Sequence, residues 1–257
     1  APPVTAEELF GAGSTLVIEP FPAQSARPIY ESAPFQGIVL VLVFAYLVII
    51  YHNLREVYVL CRKLSLDRSK PGRMTDTQGS TYARFLWAAI GIGLPMLALL
   101  TLRLADRWYP IPEVVPEAWI PVLGLLATVG LAVLLLFQVG LLRITGYVTL
   151  SRPITDQLIA LKFNYFALSV VFLCPLILLF LLASPDTGHI LSFGIFILGG
   201  ALLLLYLKES LMLFLSKKIS ILHWFLYLCA VEIFPVSFVW LLSLIHISEP
   251  TRLDVIS

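Results

Sequence analysis

Six long apolar stretches, separated by short polar connections, dominate the pattern along the chain. They cover residues 35–51, 85–104, 119–142, 161–183, 190–207 and 219 to about 241. A helix of about 17–25 apolar residues is long enough to cross the hydrocarbon core of a bilayer. The pattern therefore predicts an all-α fold, a polytopic transmembrane bundle of about six helices over residues 35–241.

Smaller features of the stretches predict how the helices pack. The first stretch continues as an amphipathic segment, 54–63, which predicts a helix that projects from the membrane as it ends. Pro95 and Pro175 interrupt the second and fourth stretches, and a transmembrane proline is tolerated where neighbours satisfy the freed carbonyl. The short connection 184–189 predicts that the fourth and fifth helices are antiparallel neighbours. Small residues allow neighbouring helices to approach closely. Four of them precede Pro95 in the second stretch: Ala88, Ala89, Gly91 and Gly93.

The composition agrees with a membrane protein and argues against nucleic acid as a partner. The chain is 59% hydrophobic and 13% charged, whereas soluble domains average about 25% charged residues. Its formal net charge is only +1, and a nucleic-acid-binding surface needs a dense patch of Lys and Arg. The lipid bilayer is the expected partner, with other membrane-protein subunits as a further possibility.

Lys and Arg are distributed unevenly between the two sets of connections. Seven lie between the first and second stretches and three between the fifth and sixth, while Arg143, Arg152 and Lys162 lie between the third and fourth or at the start of the fourth. The opposite face has only Arg27, Arg103 and Arg107. Because cytoplasmic loops hold the excess of positive charge, the amino terminus is predicted to lie outside, with residues 1–34 as a Pro/Ala-rich extracytoplasmic segment.

The carboxy-terminal residues match a sequence that is not expected in a native protein. Residues 242–252 read LSLIHISEPTR, which is the translation of a transposase-type sequencing adapter. We therefore expect residues 242–257 to be an adapter-derived artefact and the native sequence to end or be cut near Leu241. This expectation removes His246, Glu249, Arg252 and Asp254 from any site.

Glu232 is the leading candidate for a functional residue. It lies thirteen positions after Ile219, which is about 20 Å along the sixth helix. A charge at the centre of a membrane helix costs roughly 2.5–3.5 kcal/mol on insertion scales. Pro235 follows and frees the carbonyl of Val231. Glu232 either binds a cation, relays a proton or grips a partner helix, or it is a protonated structural residue hydrogen-bonded to a neighbour.

His223 is the second candidate, and two interpretations of it are open. A His223–Glu232 pair would indicate a proton relay, but nine residues at 100° each place the two on opposite faces of a regular helix. An anchoring role at the interface, beside Trp224, is favoured. Gln138, Lys162 and Asn164 are interpreted as interhelical hydrogen bonders or interface anchors.

No motif in the sequence indicates an enzyme. It contains no H-E-x-x-H, no phosphate-binding Walker loop and no G-x-S-x-G, which are signatures of metalloproteases, nucleotide hydrolases and serine hydrolases. We therefore predict no catalytic residues, no metal ligands and no cofactor.

The carboxy-terminal part of the chain resembles a known family. The residues that carry the resemblance are KES at 208–210, SKKISILHW at 216–224 and YLCAVEIFP at 227–235. They are similar to the signature of an uncharacterised bacterial integral membrane family, a domain of unknown function, and the resemblance extends over residues 36–241. It implies a multi-pass protein of the bacterial inner membrane and transfers no site residue.

Two functions remain open. The first is a non-enzymatic structural or accessory component of a cell-envelope complex. The second is a small proton- or ion-coupled permease that uses Glu232, with Pro95, Pro175 and Pro235 breaking its helices. A membrane-embedded enzyme acting on lipid has the least support.

Overall fold

The computed structural model describes residues 28–65, 79–107, 111, 115–148, 152–235 and 237. Within these ranges the protein has seven α-helices and no strand. They are α1 (Ala33–His52), α2 (Leu54–Ser65), α3 (Gly79–Asp106), α4 (Ile120–Val148), α5 (Arg152–Leu182), α6 (Pro185–Ser216) and α7 (Ile221–Tyr227). Short 3-10 helices precede α1 and α4, at Ile29–Glu31 and Glu117–Trp119, and a π-helical turn, Leu228–Ile233, follows α7.

Five of these helices are long and apolar enough to cross a membrane: α1, α3, α4, α5 and α6. The prediction of a helical membrane bundle is therefore confirmed. The sixth predicted helix corresponds to α7 and the π-helical turn, a shorter apolar element over Ile221–Ile233. Beyond residue 235 only residue 237 of it is described. Most of the predicted extracytoplasmic segment and all of the predicted adapter-derived tail lie outside the described residues.

The membrane helices are longer than the apolar stretches that predict them. α5 begins at Arg152 and not near residue 161, and α6 continues to Ser216. At its other end, α6 already begins at Pro185, after Ser184 in extended backbone, so most of the predicted connection 184–189 is helical. Proline is favoured in the first helical turn because it has no N–H to leave unpaired. α5 and α6 pack extensively against each other, as neighbours in sequence are predicted to do.

The first predicted helix is divided in two at Asn53. The Asn53 side-chain amide donates to the carbonyl of Ile49 at 2.8 Å, and α2 starts at the next residue. Leu60 of α2 is fully buried, and Lys63 Nζ lies 5.0 Å from the centroid of the Tyr82 ring on α3. The amphipathic segment therefore packs back onto the bundle, because its apolar face gains burial there.

α3 and α5 form the centre of the bundle. The most apolar window of each is 50% buried, whereas the corresponding windows of α1 and α4 are 11% buried. The hydroxyl of Tyr82 on α3 donates to Oδ1 of the buried Asn164 on α5 at 2.6 Å. The predicted interhelical role of Asn164 is therefore confirmed.

Pro175 is accommodated inside α5 by a side chain from another helix. A proline at 175 has no N–H for the carbonyl of Val171. Tyr46 of α1 donates its hydroxyl to that carbonyl at 3.0 Å. An interhelical hydrogen bond thus replaces the missing intrahelical one, which is how proline is tolerated in lipid.

Arg103 is buried near the end of α3 and is not a loop residue. Its guanidinium carbon lies 4.7 Å from the centroid of the Tyr30 ring and 4.6 Å from that of Phe180. Its Nη2 donates to the carbonyl of Ala183, just past α5. Arginine stacks readily on aromatic faces, so this residue ties α3 and α5 to the segment before α1.

The close contact between α3 and α5 generates a first prediction. A Cβ atom at Gly93 would lie 2.5 Å from Cγ2 of Val170 and 2.8 Å from Cε1 of Phe166, whereas one at Gly91 would meet nothing within 4 Å. Overpacking typically costs about 1–3 kcal/mol. We expect Gly93→Ala to lower the thermal unfolding temperature in detergent and Gly91→Ala to leave it unchanged or slightly higher. Equal unfolding temperatures for the two variants would show that α3 and α5 are not this close.

Candidate functional site

Glu232 lies in the π-helical turn that follows α7. The turn spans Leu228–Ile233, and the N–H of Phe234 bonds to the carbonyl of Cys229, five residues earlier. Pro235 is buried and follows directly; because it lacks an N–H, the regular i to i−4 pattern cannot continue through it. π-helical turns of this kind occur frequently at functional sites. Pro235 is visible in the sequence, but the π-helical turn before it was not predicted.

Lys162 of α5 forms an ion pair with Glu232. Its Nζ lies 3.0 Å from Oε1 and 2.9 Å from Oε2 of the carboxylate. The side chains are 12% and 21% exposed, respectively, so solvent screens the pair only in part. Each charge offsets the desolvation cost of the other. Lys162 was predicted to be a hydrogen bonder or an interface anchor, and it is the partner of the candidate acid.

Two tyrosines complete the contacts of the carboxylate. The Tyr206 hydroxyl of α6 lies 2.7 Å from Oε1 of Glu232, and the Tyr227 hydroxyl at the end of α7 lies 3.0 Å from the same oxygen. The two hydroxyl oxygens are 2.8 Å apart. Glu232 is therefore bound by side chains from α5, α6 and α7. We refer to Lys162, Tyr206, Tyr227 and Glu232 as the Glu232 cluster.

Three of the four oxygens in this cluster make more contacts with one another than the two hydroxyls have protons to donate. The hydroxyls of Tyr206 and Tyr227 and Oε1 of Glu232 form a triangle of three short contacts, but each hydroxyl supplies one proton. With an ionised carboxylate, two protons serve three contacts. One hydroxyl therefore donates to the carboxylate, and the second donates either to the first hydroxyl or to the carboxylate. The geometry allows both arrangements.

The Glu232 cluster lies at one edge of the apolar layer of the bundle. Lys162 is ten residues from the start of α5, and Tyr206 is ten residues from the end of α6. At 1.5 Å per residue each is about 15 Å from its helix end. The apolar stretch of α5 begins at residue 161, and that of α6 ends at residue 207. The contacts of Glu232 thus place it level with the point where both apolar stretches terminate.

The other predicted residue, His223, is not part of the cluster. It is exposed near the start of α7, and the described contacts of Glu232 come from the other three members of the cluster. The neighbouring Trp224 is half-buried and donates its indole N–H to Oγ of Ser210 at 2.8 Å. An anchoring role for His223 stays a prediction. Glu232 and Pro235 share one turn of chain, as their spacing indicates.

The chemistry of the cluster is that of an ion pair and a proton network. In the part of the chain that the structure describes, no group of three or more His, Cys, Asp or Glu side chains could hold a metal ion. The carboxylate is occupied by an ammonium and two hydroxyls. Such a set can lock three helices together or redistribute a proton among its oxygens.

Comparison with known protein families assigns the chain to a family. Residues 35–242 match the family described as a domain of unknown function (DUF4271). The chain belongs to this family. Comparisons with curated proteins and with solved structures found no match. The DUF4271 description assigns no activity, so the role of the Glu232 cluster rests on its geometry.

The ion pair generates a second prediction, a double-mutant cycle on Lys162→Met and Glu232→Gln. Removing one partner leaves the other charge without compensation, and for a partly exposed pair we expect each single variant to lose about 1–3 kcal/mol of stability. The double variant should lose less than the sum of the two. Thermal unfolding in detergent, followed by the loss of helical circular dichroism, measures the effect.

The control for this cycle is Lys208→Met, because Lys208 is exposed on the same bundle. That variant should unfold at the wild-type temperature. Strictly additive losses in the Lys162 and Glu232 variants would mean that the two side chains do not stabilise each other.

Proposed function

We propose that this DUF4271 protein is a non-enzymatic structural or accessory component of a cell-envelope complex. One observation carries the proposal: Glu232 is held by Lys162, Tyr206 and Tyr227. Glu232, whose burial in an apolar segment is costly, thus connects α5, α6 and α7 through its hydrogen bonds and ion pair. A carboxylate whose oxygens are bound by three side chains is suited to fix a helix arrangement.

The outer faces of the bundle support a role in assembly. Large apolar side chains are exposed along α1, including Leu40 at 69% and Phe44 at 70%, and along α4, including Leu125 at 65% and Leu136 at 67%. Lipid covers such faces in a membrane, and partner helices can replace that lipid at little cost because both are apolar. The two peripheral helices therefore supply surface on which a subunit can pack.

The distribution of charge supports a location in the bacterial cytoplasmic membrane with the amino terminus outside. α4 ends, α5 begins and α6 ends at one end of the bundle, where Arg143, Arg152, Lys217 and Lys218 lie. Arg103 and Arg107 lie near the opposite end, where α3 ends. The excess of positive charge indicates the cytoplasmic side. The family resemblance of residues 208–235 supports the assignment to the bacterial inner membrane.

The accessory role predicts discrete partners. After extraction from native membranes in a mild detergent, we expect the full chain to co-purify with one or a few membrane proteins at fixed stoichiometry. Native mass spectrometry of the purified material measures this, with an unrelated tagged membrane protein of similar size as the control. A lone monomer or a symmetric oligomer would contradict the accessory role.

The protons shared by Tyr206, Tyr227 and Glu232 favour a second function, that of a proton-coupled permease. Two hydroxyl protons serve three oxygen contacts within a π-helical turn, so a proton can be added or moved there with small displacements. Protonation of Glu232 would weaken its pairing with Lys162 and release α7 from α5. A carrier needs such a change in helix contacts that is coupled to a proton.

The permease alternative predicts a flux that depends on Glu232. In proteoliposomes with an internal pH-sensitive dye, a carrier would move protons when supplied with its substrate, and Glu232→Gln would abolish that movement. Glu209→Gln, which removes a half-buried carboxylate outside the cluster, is the matched control and should retain it. The accessory role predicts instead that wild type and both variants match empty liposomes across a panel of small solutes.

A further inference from the structure

A cavity with three charged residues in its lining lies where α4 ends and α5 begins. Its volume is about 260 Å³, and it is lined by Arg143, Gly146 and Tyr147 of α4 and by Arg152, Thr155 and Asp156 of α5. This is smaller than the roughly 300–1,000 Å³ of pockets that enclose drug-sized ligands. The cavity is at the ends of α4 and α5, between the apolar stretches that end at residue 142 and begin at residue 161, and we infer that it lies among the lipid headgroups. We refer to it as the α4–α5 cavity.

The inner wall of the α4–α5 cavity is formed by a close contact between the two helices. Gly146 and Thr155 are both buried, and a Cβ atom at Gly146 would collide with the Thr155 hydroxyl oxygen. No larger residue fits at Gly146 without moving α5 away. The contact therefore holds the two helices, and the charged side chains beside it, at a fixed separation.

The charged side chains around the cavity are not paired with one another. Among the described residues, no ion pair joins Asp156 to Arg143 or to Arg152. The guanidinium of Arg152 stacks on Tyr147, with 5.2 Å between the guanidinium carbon and the ring centroid. Stacking restrains the guanidinium but leaves its edge N–H groups available to an acceptor. The cavity thus offers two cations and one carboxylate to a ligand.

We propose that the α4–α5 cavity binds the headgroup of a glycerophospholipid with a primary ammonium, that is, a phosphoethanolamine lipid. Arg143 and Arg152 bind the phosphate, because a guanidinium matches two phosphate oxygens at once. Asp156 accepts hydrogen bonds from the ammonium. Each charge of the headgroup then meets an opposite charge, and the acyl chains extend along the exposed apolar surface of α4.

Asp156 makes the proposal specific. Without it, two arginines would favour an anionic headgroup, since basic pockets at the ends of transmembrane helices bind such lipids. A carboxylate beside them repels additional negative charge and favours a cation that can donate hydrogen bonds. The quaternary ammonium of a phosphocholine lipid has no N–H to donate, so it matches the phosphate contacts but not Asp156.

The test measures which lipids the intact purified protein retains. Phosphoethanolamine, phosphocholine and phosphoglycerol lipids with identical acyl chains are added in detergent, and bound lipid is counted by native mass spectrometry. A hydrogen bond to a charged group corresponds to roughly tenfold in affinity, so we expect wild type to retain the phosphoethanolamine lipid about tenfold over the phosphocholine lipid. Equal retention of these two lipids by wild type would overturn the proposal without recourse to any variant.

Single-residue variants test which side chains bind the phosphate and which bind the ammonium of the headgroup. We expect Asp156→Asn to lower retention of the phosphoethanolamine lipid to the phosphocholine level and to raise that of the phosphoglycerol lipid. Arg143→Gln and Arg152→Gln should lower retention of all three, and Lys217→Gln, at the same end of the bundle, should change none. An Asp156→Asn variant that unfolds at the wild-type temperature and keeps the wild-type preference would also overturn the proposal.

A soluble ligand with the same chemistry is distinguished by competition. Glycerophosphoethanolamine carries the same phosphate and ammonium but no acyl chains. Under the proposal it displaces bound lipid only at concentrations at least about a hundredfold higher, because each buried CH₂ group of an acyl chain contributes to affinity. Displacement at equal concentration would assign the cavity to a soluble phosphate ester and overturn the lipid assignment.

Discussion

The constraint on which the structure depends is that hydrocarbon offers no hydrogen-bond partner to a peptide group. Every carbonyl at membrane depth must find its donor within the protein. Regular helices meet this requirement for most residues, and side chains meet it where the helices cannot. Tyr46 does so for the carbonyl of Val171 below Pro175, and Arg103 does so for Ala183 at the end of α5. The same requirement governs side chains, since an unpaired carboxylate or ammonium is more costly there than an unpaired carbonyl.

Much of the fold could be predicted from the sequence because the requirement acts on single segments. A stretch without charges, long enough to cross the bilayer, must be helical regardless of its neighbours, and five such helices are found. Their ends were predicted less well, because the apolar stretch marks the part in hydrocarbon and the helix continues beyond it, as α5 does at Arg152. The break at Asn53 depends on where the apolar face of α2 can pack, which is a property of the whole bundle.

The candidate site was predicted in part, for the same reason. Glu232 stands out because the free-energy cost of placing a carboxylate in an apolar segment can be recognised from that segment alone. Its partner does not, because Lys162 is 70 residues away in sequence and sits where an apolar stretch begins, the usual place for a loop charge. A lysine flanked by apolar residues on both sides was a usable signal. Tyr206 and Tyr227 gave none, since aromatic residues at the edges of membrane helices are common.

Three groups of charges in the described helices follow one rule, which is that each is compensated by whatever its surroundings can supply. In the Glu232 cluster, at the edge of the apolar layer, Lys162 and Glu232 neutralise each other. Arg103 is buried against two rings, and the electron-rich faces of Tyr30 and Phe180 take the place of a carboxylate. Arg143, Arg152 and Asp156 remain unpaired with one another only at the end of α4, where headgroups can supply ions of both signs. Their lack of mutual pairing is consistent with the rule if, as proposed above, a lipid headgroup supplies their counterions.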